Sequence, residues 1–123
     1  MAAARRFTNR REVARIIRNG QRMRFPLGRV AILPASGPIG RIFFVVPKAV
    51  SKKSTVRNRI RRILAAWARE RNVGALLGRD LVVFVDPALV GMSPRAIRDE
   101  AEALCERLAA MPRAHSARWR SQR

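Results

Sequence analysis

The sequence is poor in the residues from which most protein active sites are built. Its 123 residues include one cysteine, one histidine and no tyrosine. The lone Cys105 excludes an intramolecular disulfide and suits a reducing compartment, and we expect it to be a small hydrophobic side chain on a helix. The lone His115 lies in the predicted C-terminal tail, so we expect neither a histidine-based triad nor a metal site built from several histidines. No signal-peptide pattern is present and no apolar run approaches the ~18 residues that cross a bilayer, so we expect a soluble, cytoplasmic protein.

Acidic residues are the second shortage, and they are unevenly placed. The chain has 27 Lys and Arg against 8 Asp and Glu, a formal charge of +19, and residues 1–69 contain a single acid, Glu12. Such a charge opposes compaction unless a polyanion is bound, which indicates a nucleic-acid partner. A nuclease built from protein alone would need several carboxylates converging on metal ions. We expect no catalytic residue and no metal ligand. Asp80 and Asp86 are predicted at strand ends, the latter in a turn, and the acids of the last helix are predicted on its solvated face (Asp99, Glu100, Glu102, Glu106).

The basic residues are concentrated in and just before one predicted helix, at about residues 55–70. Between positions 52 and 62 the sequence places six Lys and Arg. Apolar residues nevertheless recur at helical spacing and predict one buried stripe, formed by Val56, Ile60, Ile63, Leu64 and Trp67. Ser54 or Thr55 is expected to cap the first turn. A solvated helix face usually mixes charges of both signs, whereas this one has no acid before Glu70, so the arginines are predicted to bind phosphate.

The remaining pattern predicts a single α/β domain over residues 1–111, with 1–8 as a basic arm and 112–123 as a flexible basic tail. A first helix is predicted from about Arg10 to Asn19, capped by Asn9 and Glu12 and ended by Gly20. Four strands and a last helix follow, and the apolar runs in the third and fourth strands are typical of central strands (21–24, 27–33, 41–46, 81–85, 94–110). The order α-β-β-β-α-β-α predicts a two-layer sandwich with a small central sheet.

The segment Arg57-Asn58-Arg59, followed by Ile60-Arg61-Arg62, resembles the signature of the bacterial ribonuclease P protein subunit. The flanking elements agree in order and spacing over roughly residues 5–110. The resemblance implies that the chain binds a catalytic RNA, which uses Mg²⁺ to hydrolyse a phosphodiester and release the 5′ leader of precursor tRNA. It also implies a left-handed strand–helix–strand crossover around the signature helix, where general rules favour a right-handed one.

Two RNA-contacting surfaces are implied by the same resemblance. The signature helix and the loop before it would bind the catalytic RNA through Arg57, Asn58, Arg59, Arg61, Arg62, Lys48, Lys52 and Lys53. A cleft between the first helix and the sheet would hold the leader of precursor tRNA, near Val13, Ile17, Arg10 and Arg29. Relatives usually place aromatic residues on that helix and a tyrosine near Ala31, so we expect this chain to depend more on phosphate contacts than on base stacking. No membrane and no protein partner are implied, and the Mg²⁺ would be held by the RNA.

Three other functions are compatible with parts of this pattern. A ribosomal or other structural RNA-binding protein would have the same charge and size, and the RNA that co-purifies would distinguish it. An autonomous nuclease is disfavoured by the scarcity of candidate metal ligands. A basic membrane-surface protein is disfavoured because the basic helix carries an ordinary core stripe within an α/β pattern.

Overall fold

A four-stranded sheet carries helices on both faces in the computed structural model, which describes residues 2–35, 37 and 39–111. The elements in chain order are α1 (Ala2–Asn19), β1 (Gln21–Phe25), β2 (Gly28–Pro34), β3 (Ile42–Val45), α2 (Ser54–Arg71), α3 (Val73–Leu77), β4 (Arg79–Val85) and α4 (Pro94–Ala110). The predicted order is confirmed, with two additions: the short helix α3 in the glycine-flanked stretch before β4, and a 3₁₀ turn at Pro87–Leu89 between β4 and α4. The tail predicted at 112–123 lies outside the described residues.

The strands lie in the order β1-β2-β4-β3. β2 pairs antiparallel with both β1 and β4, whereas β3 pairs parallel with β4. The prediction of a central fourth strand is therefore confirmed, but the prediction of a central third strand is wrong. β3 lies at an edge of the described sheet, and its run of four apolar residues is half-buried because helices cover both of its faces in part. The parallel β3–β4 pair requires a crossover, which contains α2 and α3; its left-handed sense stays a prediction.

Alternation along the strands divides the apolar residues between two clusters. The larger cluster lies between the sheet and α2, α3 and α4, and includes Val30, Ile32, Leu81 and Val83. On the opposite face, α1 packs over a smaller cluster formed by Ile16, Ala31, Leu33 and Val82. The smaller cluster covers part of its face, so polar and aromatic side chains of β1, β2 and β4 stay accessible beside α1.

α1 differs from the prediction at its beginning. The helix starts at Ala2 rather than Arg10, so residues 2–8 are helical and Asn9 lies inside the helix instead of capping it. The end was predicted correctly, because the Gly20 amide donates to the Ile16 carbonyl oxygen at 2.8 Å. A Cβ atom at Gly20 would lie 2.5 Å from that oxygen and 2.9 Å from the carbonyl oxygen of Ile32. Gly20 is thus required by the close approach of the helix end to β2.

α2 is fixed to α4 by its apolar stripe and by one shared carboxylate. Ile60, Leu64 and Trp67 are buried as predicted. The Trp67 indole donates to Glu102 Oε2 at 2.7 Å, and Arg71 Nε lies 2.8 Å from the same oxygen. The prediction of Glu102 as a solvated residue is therefore wrong, since it bridges the two helices.

Ser93 caps α4, whereas the capping prediction for α2 is wrong. Ser93 Oγ accepts from the Ala96 amide at 3.1 Å at the start of α4. α2 begins at Ser54 itself, with Lys53 as the N-cap residue and no side-chain cap. Cys105 is buried in the larger cluster as predicted, and burial raises the pKa of its thiol.

Candidate nucleic-acid interface

The surface of α2 that faces away from the core is predominantly cationic. Val56 and Ile63 complete the predicted stripe as half-buried side chains, while Arg59, Arg61 and Arg62 are exposed. Within the described part of the chain, Arg59 and Arg62 make no hydrogen bond or ion pair. Their guanidinium groups are therefore available to an external polyanion, and their charge persists at any physiological pH.

The first two residues of the signature have partners inside the protein. Arg57 is half-buried, and its Nη1 donates to the carbonyl oxygens of Ser51 at 2.8 Å and Lys52 at 3.1 Å. Asn58 Oδ1 accepts a hydrogen bond from Arg61 Nη1 at 2.7 Å. Sequence periodicity placed all of these side chains away from the stripe, but it could not show which of them bond to the chain itself.

Residues 47–53, here named the lysine loop, connect β3 to α2 and carry three predicted RNA ligands. Lys48, Lys52 and Lys53 are all exposed. Val50 is buried in the larger cluster and its amide donates to the Pro47 carbonyl oxygen at 2.9 Å, which closes the first turn of the loop. The Lys53 amide donates to Ser51 Oγ at 3.2 Å, which closes the second. The predicted lysines and signature arginines are therefore brought together on adjacent segments.

A cleft of about 670 Å³ lies beside the C-terminal half of α1, on the sheet face that α1 partly covers. Ile17 lines it from the helix, and Pro47, Ala49 and Val50 line it from the lysine loop; the strand residues include Arg22, Arg24, Arg29, Ala31 and Phe84. Of the residues predicted for the leader cleft, Ile17 and Arg29 line this cavity. Val13 is half-buried against the smaller cluster, and Arg10 is exposed further along α1; neither is among the lining residues.

Strand register arranges the floor of the cleft in rows. Phe84 of β4 lies opposite Arg29 of β2, which in turn lies opposite Arg24 of β1. Directly paired residues project from the same face of a sheet, so this row places an aromatic ring next to two guanidinium groups. The next row on this face joins Ala31 to Arg22, whose Nη2 donates to the Ile17 carbonyl oxygen at 3.3 Å.

Sequence reasoning missed Arg22, Arg24 and Phe84 as cleft residues. The alternation of β1 would have shown that Arg22 and Arg24 share a face, and the apolar run of β4 hid the fact that Phe84 projects from that face. Their combination depends on the pairing of β2 with both neighbours, which the sequence alone does not specify. Phe84 is half-buried and contacts the smaller cluster, so its ring is fixed by packing while it lines the cleft.

An ion-pair network holds α1 against the edge of this face. Arg15 Nη2 lies 2.9 Å from Glu12 Oε1 and 2.7 Å from Asp80 Oδ2, and Arg41 Nη2 also lies 2.9 Å from Glu12 Oε1. Asp80 is buried, and its second oxygen accepts from the Arg41 amide at 2.9 Å. The hydrogen bond from Arg15 lowers the pKa of Glu12, desolvation opposes this, and the charge of Arg41 lowers it further. Glu12 therefore has the structural role that was predicted for it, although through ion pairs rather than a cap.

No helix among the described residues is long and apolar enough to span a membrane. No group of three or more His, Cys, Asp or Glu side chains that could hold a metal ion is formed over residues 2–35, 37 and 39–111.

Comparison with known proteins identifies a family. The model of the ribonuclease P family matches residues 1–109. Among solved structures, the ribonuclease P protein of Thermotoga maritima in complex with 1-(4-fluorophenyl)-2-thiourea superposes with a TM-score of 0.69 at 20% identity, covering 84% of this chain and 96% of that one. The Staphylococcus aureus ribonuclease P protein superposes with a TM-score of 0.68 at 18% identity, covering 77% and 86%. No curated protein sequence matches significantly. The family match spans almost the whole described chain and the fold agrees with it, so the chain belongs to the ribonuclease P protein family.

Proposed function

We propose that this ribonuclease P subunit binds the catalytic RNA through α2 and the lysine loop, and binds the 5′ leader of precursor tRNA in the cleft beside α1. Family membership makes the chain a subunit of the ribonuclease P holoenzyme and implies ribonuclease P RNA as its partner. The two RNA contacts, the leader substrate and a cytoplasmic location are inferences of this proposal.

The observation that carries the proposal is the one-sided cation surface of α2. Three buried residues fix one side of the helix to the core (Ile60, Leu64, Trp67), while Arg59, Arg61 and Arg62 project from the rest. A helix fixed in this way presents its guanidinium groups at defined positions, which suits the regularly spaced phosphates of a folded RNA. Lys52 and Lys53 extend the same surface beyond the start of the helix.

The cleft has the composition of a site for single-stranded RNA. Arg22, Arg24 and Arg29 supply positive charge along β1 and β2, and Phe84 supplies an aromatic surface for one base. Proteins that bind single strands combine these two features, because phosphates follow the charge while unpaired bases stack on rings. The aromatic residue lies on β4 instead of on α1, where the family usually has it.

We propose that the RNA, with bound Mg²⁺, performs the hydrolysis and that no residue of this chain takes a catalytic part. The chemistry supplied by Mg²⁺ is the activation of water and the stabilisation of charge on the phosphate oxygens. Among the described acids, Asp80 and Glu12 bond to Arg15 and Arg41, Glu102 bonds to Trp67 and Arg71, and the remaining acids do not converge on a common point with other potential metal ligands. The residues present therefore do not fit a protein-held Mg²⁺ site.

Reconstitution tests the proposal. Precursor tRNA with a labelled leader would be incubated at low Mg²⁺ with the purified chain, with ribonuclease P RNA, or with both. We expect cleavage at the mature 5′ end to be much faster with both than with either alone. Cleavage by the RNA-free chain would instead establish an autonomous nuclease. Absence of stimulation, together with co-purification of ribosomal RNA, would favour a structural RNA-binding protein.

A further inference from the structure

The Arg-Asn-Arg signature contains an arginine whose charged end contacts the protein backbone. Arg57 Nη1 bonds to the carbonyl oxygens of Ser51 and Lys52 at 2.8 and 3.1 Å. The Arg57 side chain is half-buried, whereas Arg59, Arg61 and Arg62 are exposed. Arg57 therefore differs from the other signature arginines in both contact and exposure, although the sequence presents them as one basic run.

The two carbonyl groups belong to the second turn of the lysine loop, between Val50 and the start of α2. Val50 fixes the beginning of this part through its burial in the larger cluster, and α2 begins at Ser54. Between these two points, the Lys53 amide bonds to Ser51 Oγ at 3.2 Å, and no side-chain cap closes the first turn of α2. The Arg57 guanidinium joins the peptides of Ser51 and Lys52 to the first turn of the helix.

Charge makes this restraint more important. Lys52 and Lys53 are adjacent, exposed and of the same sign, so their repulsion favours extended conformations of the turn. The carbonyl oxygens of Ser51 and Lys52 accept from the Arg57 guanidinium, and a charged donor makes a stronger hydrogen bond than a neutral one. A donor from within the helix can therefore hold the turn in one conformation without neutralising either lysine.

We propose that Arg57 is a positioning residue, which holds the Ser51–Lys53 turn so that Lys52 and Lys53 face the same RNA surface as Arg59 and Arg62. The inference rests on the proposed binding of ribonuclease P RNA and deepens it by dividing the signature into groups that position and groups that bind. Arg57 acts on the RNA through the two lysines. Its own guanidinium binds no phosphate, so it releases few counterions from the RNA when the complex forms.

A double-mutant cycle tests this role with the full chain and ribonuclease P RNA transcribed from the same organism. The variants are Arg57→Ala, the pair Lys52→Ala with Lys53→Ala, and all three together, with Arg62→Ala as the matched control in both backgrounds. We expect Arg57→Ala to weaken binding by roughly tenfold in the wild-type background and by less than about twofold once both lysines are absent. Arg62→Ala should weaken binding by the same factor in both backgrounds.

Salt dependence gives a second distinction. Arg62→Ala should reduce the slope of log K against log salt by about 0.7–0.9, the value for one lost phosphate contact. In the background without the lysines, Arg57→Ala should leave that slope unchanged. If Arg57→Ala lost the same affinity with and without the two lysines, and reduced the salt slope by the value of one phosphate contact, the proposal would be overturned. Arg57 would then be a phosphate ligand.

Amide exchange in the free protein separates this inference from the proposed function. Arg57→Ala should accelerate hydrogen exchange at the Lys53 amide, and Arg62→Ala should not, because Arg62 makes no hydrogen bond to the turn among the described residues. Unchanged exchange at Lys53 in Arg57→Ala would refute the positioning role. A wild-type chain that failed to bind ribonuclease P RNA would refute the proposed function, while the exchange experiment would still report on the turn.

Discussion

Replacing Phe84 by leucine should weaken the binding of leader-bearing precursor tRNA and leave the leaderless tRNA unaffected. Phe84 lines the cleft next to Arg29 and Arg24 and is held in place by packing against the smaller cluster. Leucine keeps most of the apolar volume that packs against this cluster but removes the aromatic face. The Phe84→Leu variant therefore tests stacking with little disturbance of the fold.

The expected size follows from base stacking. A base stacked on an aromatic side chain contributes about 1–3 kcal/mol, which corresponds to roughly 5- to 160-fold in Kd. The ring carries no charge, so Phe84→Leu should leave the salt dependence of leader binding unchanged. Arg29→Gln should do the opposite and reduce the slope by about 0.7 for one single-strand phosphate contact.

The assay compares holoenzyme affinity for precursor tRNA with and without a leader across a salt series. Phe43→Leu is the matched control, because Phe43 projects from the same sheet face, is half-buried against the same cluster and is not among the residues that line the cleft. Equal losses for the two substrates, or equal losses in the Phe43 and Phe84 variants, would show that the ring acts through the fold and would refute stacking in the cleft.

Three further predictions concern stability and the helix side of the cleft. Ile60→Ala should lower the free energy of unfolding by about 2–5 kcal/mol because Ile60 is fully buried. Arg62 is exposed, so Arg62→Ala should change the free energy of unfolding by no more than ~0.5 kcal/mol. Thermal melts that showed equal losses of stability in the two variants would contradict this orientation of α2. The pKa of Glu12 is lowered in the folded state, so its ion pairs stabilise the fold above its ordinary pKa, and this stabilisation is lost as the pH falls through the folded value. Glu12→Gln should therefore make the free energy of unfolding depend less on pH below about pH 4.5. An unchanged pH dependence in that range would show that the Glu12 ion pairs do not contribute to stability. Ile17→Phe should tighten leader binding and reduce its salt dependence, whereas Val13→Phe should mainly destabilise the protein. If Val13→Phe tightened leader binding and Ile17→Phe did not, Val13 rather than Ile17 would lie in the cleft.

Periodicity in the sequence predicted the elements whose burial is one-sided. The stripe of α2 was correct because a helix buried along one face repeats its apolar residues at helical spacing. β3 was misjudged for a related reason, since an edge strand covered on both faces has the same continuous apolar run as a central one. The start of α1 was misjudged because Asn9 and Glu12 match a capping pattern, although the helix continues back to Ala2 and Glu12 bonds to arginines.

The candidate site was less predictable than the fold, because its properties depend on contacts between distant segments. The sequence identifies Arg57, Asn58 and Arg61 as basic or polar residues of one helix, but not the bonds that Arg57 makes to the lysine loop or the bond between Asn58 and Arg61. It likewise contains Arg29 and Phe84 without indicating that strand pairing makes them neighbours. These contacts depend on register and on side-chain conformation, and neither follows from local pattern.

The placement of the acids explains how a chain of such high charge separates structural cations from binding cations. Each described ion pair joins two elements or stabilises α1: Glu12 and Asp80 connect α1 to the sheet, and Glu70 and Glu102 connect α2 to α4 through Arg98 and Arg71. None of these pairs involves Arg59, Arg61 or Arg62, or the arginines of the cleft. These four acids thus neutralise cations that hold the fold together, and the cleft, which one acid (Asp86) lines together with Arg22, Arg24 and Arg29, keeps a net positive charge. The lysine loop connects these two surfaces, because its beginning lines the cleft and its end precedes α2. Catalytic RNA bound on α2 and a leader bound in the cleft would therefore contact opposite ends of one seven-residue segment.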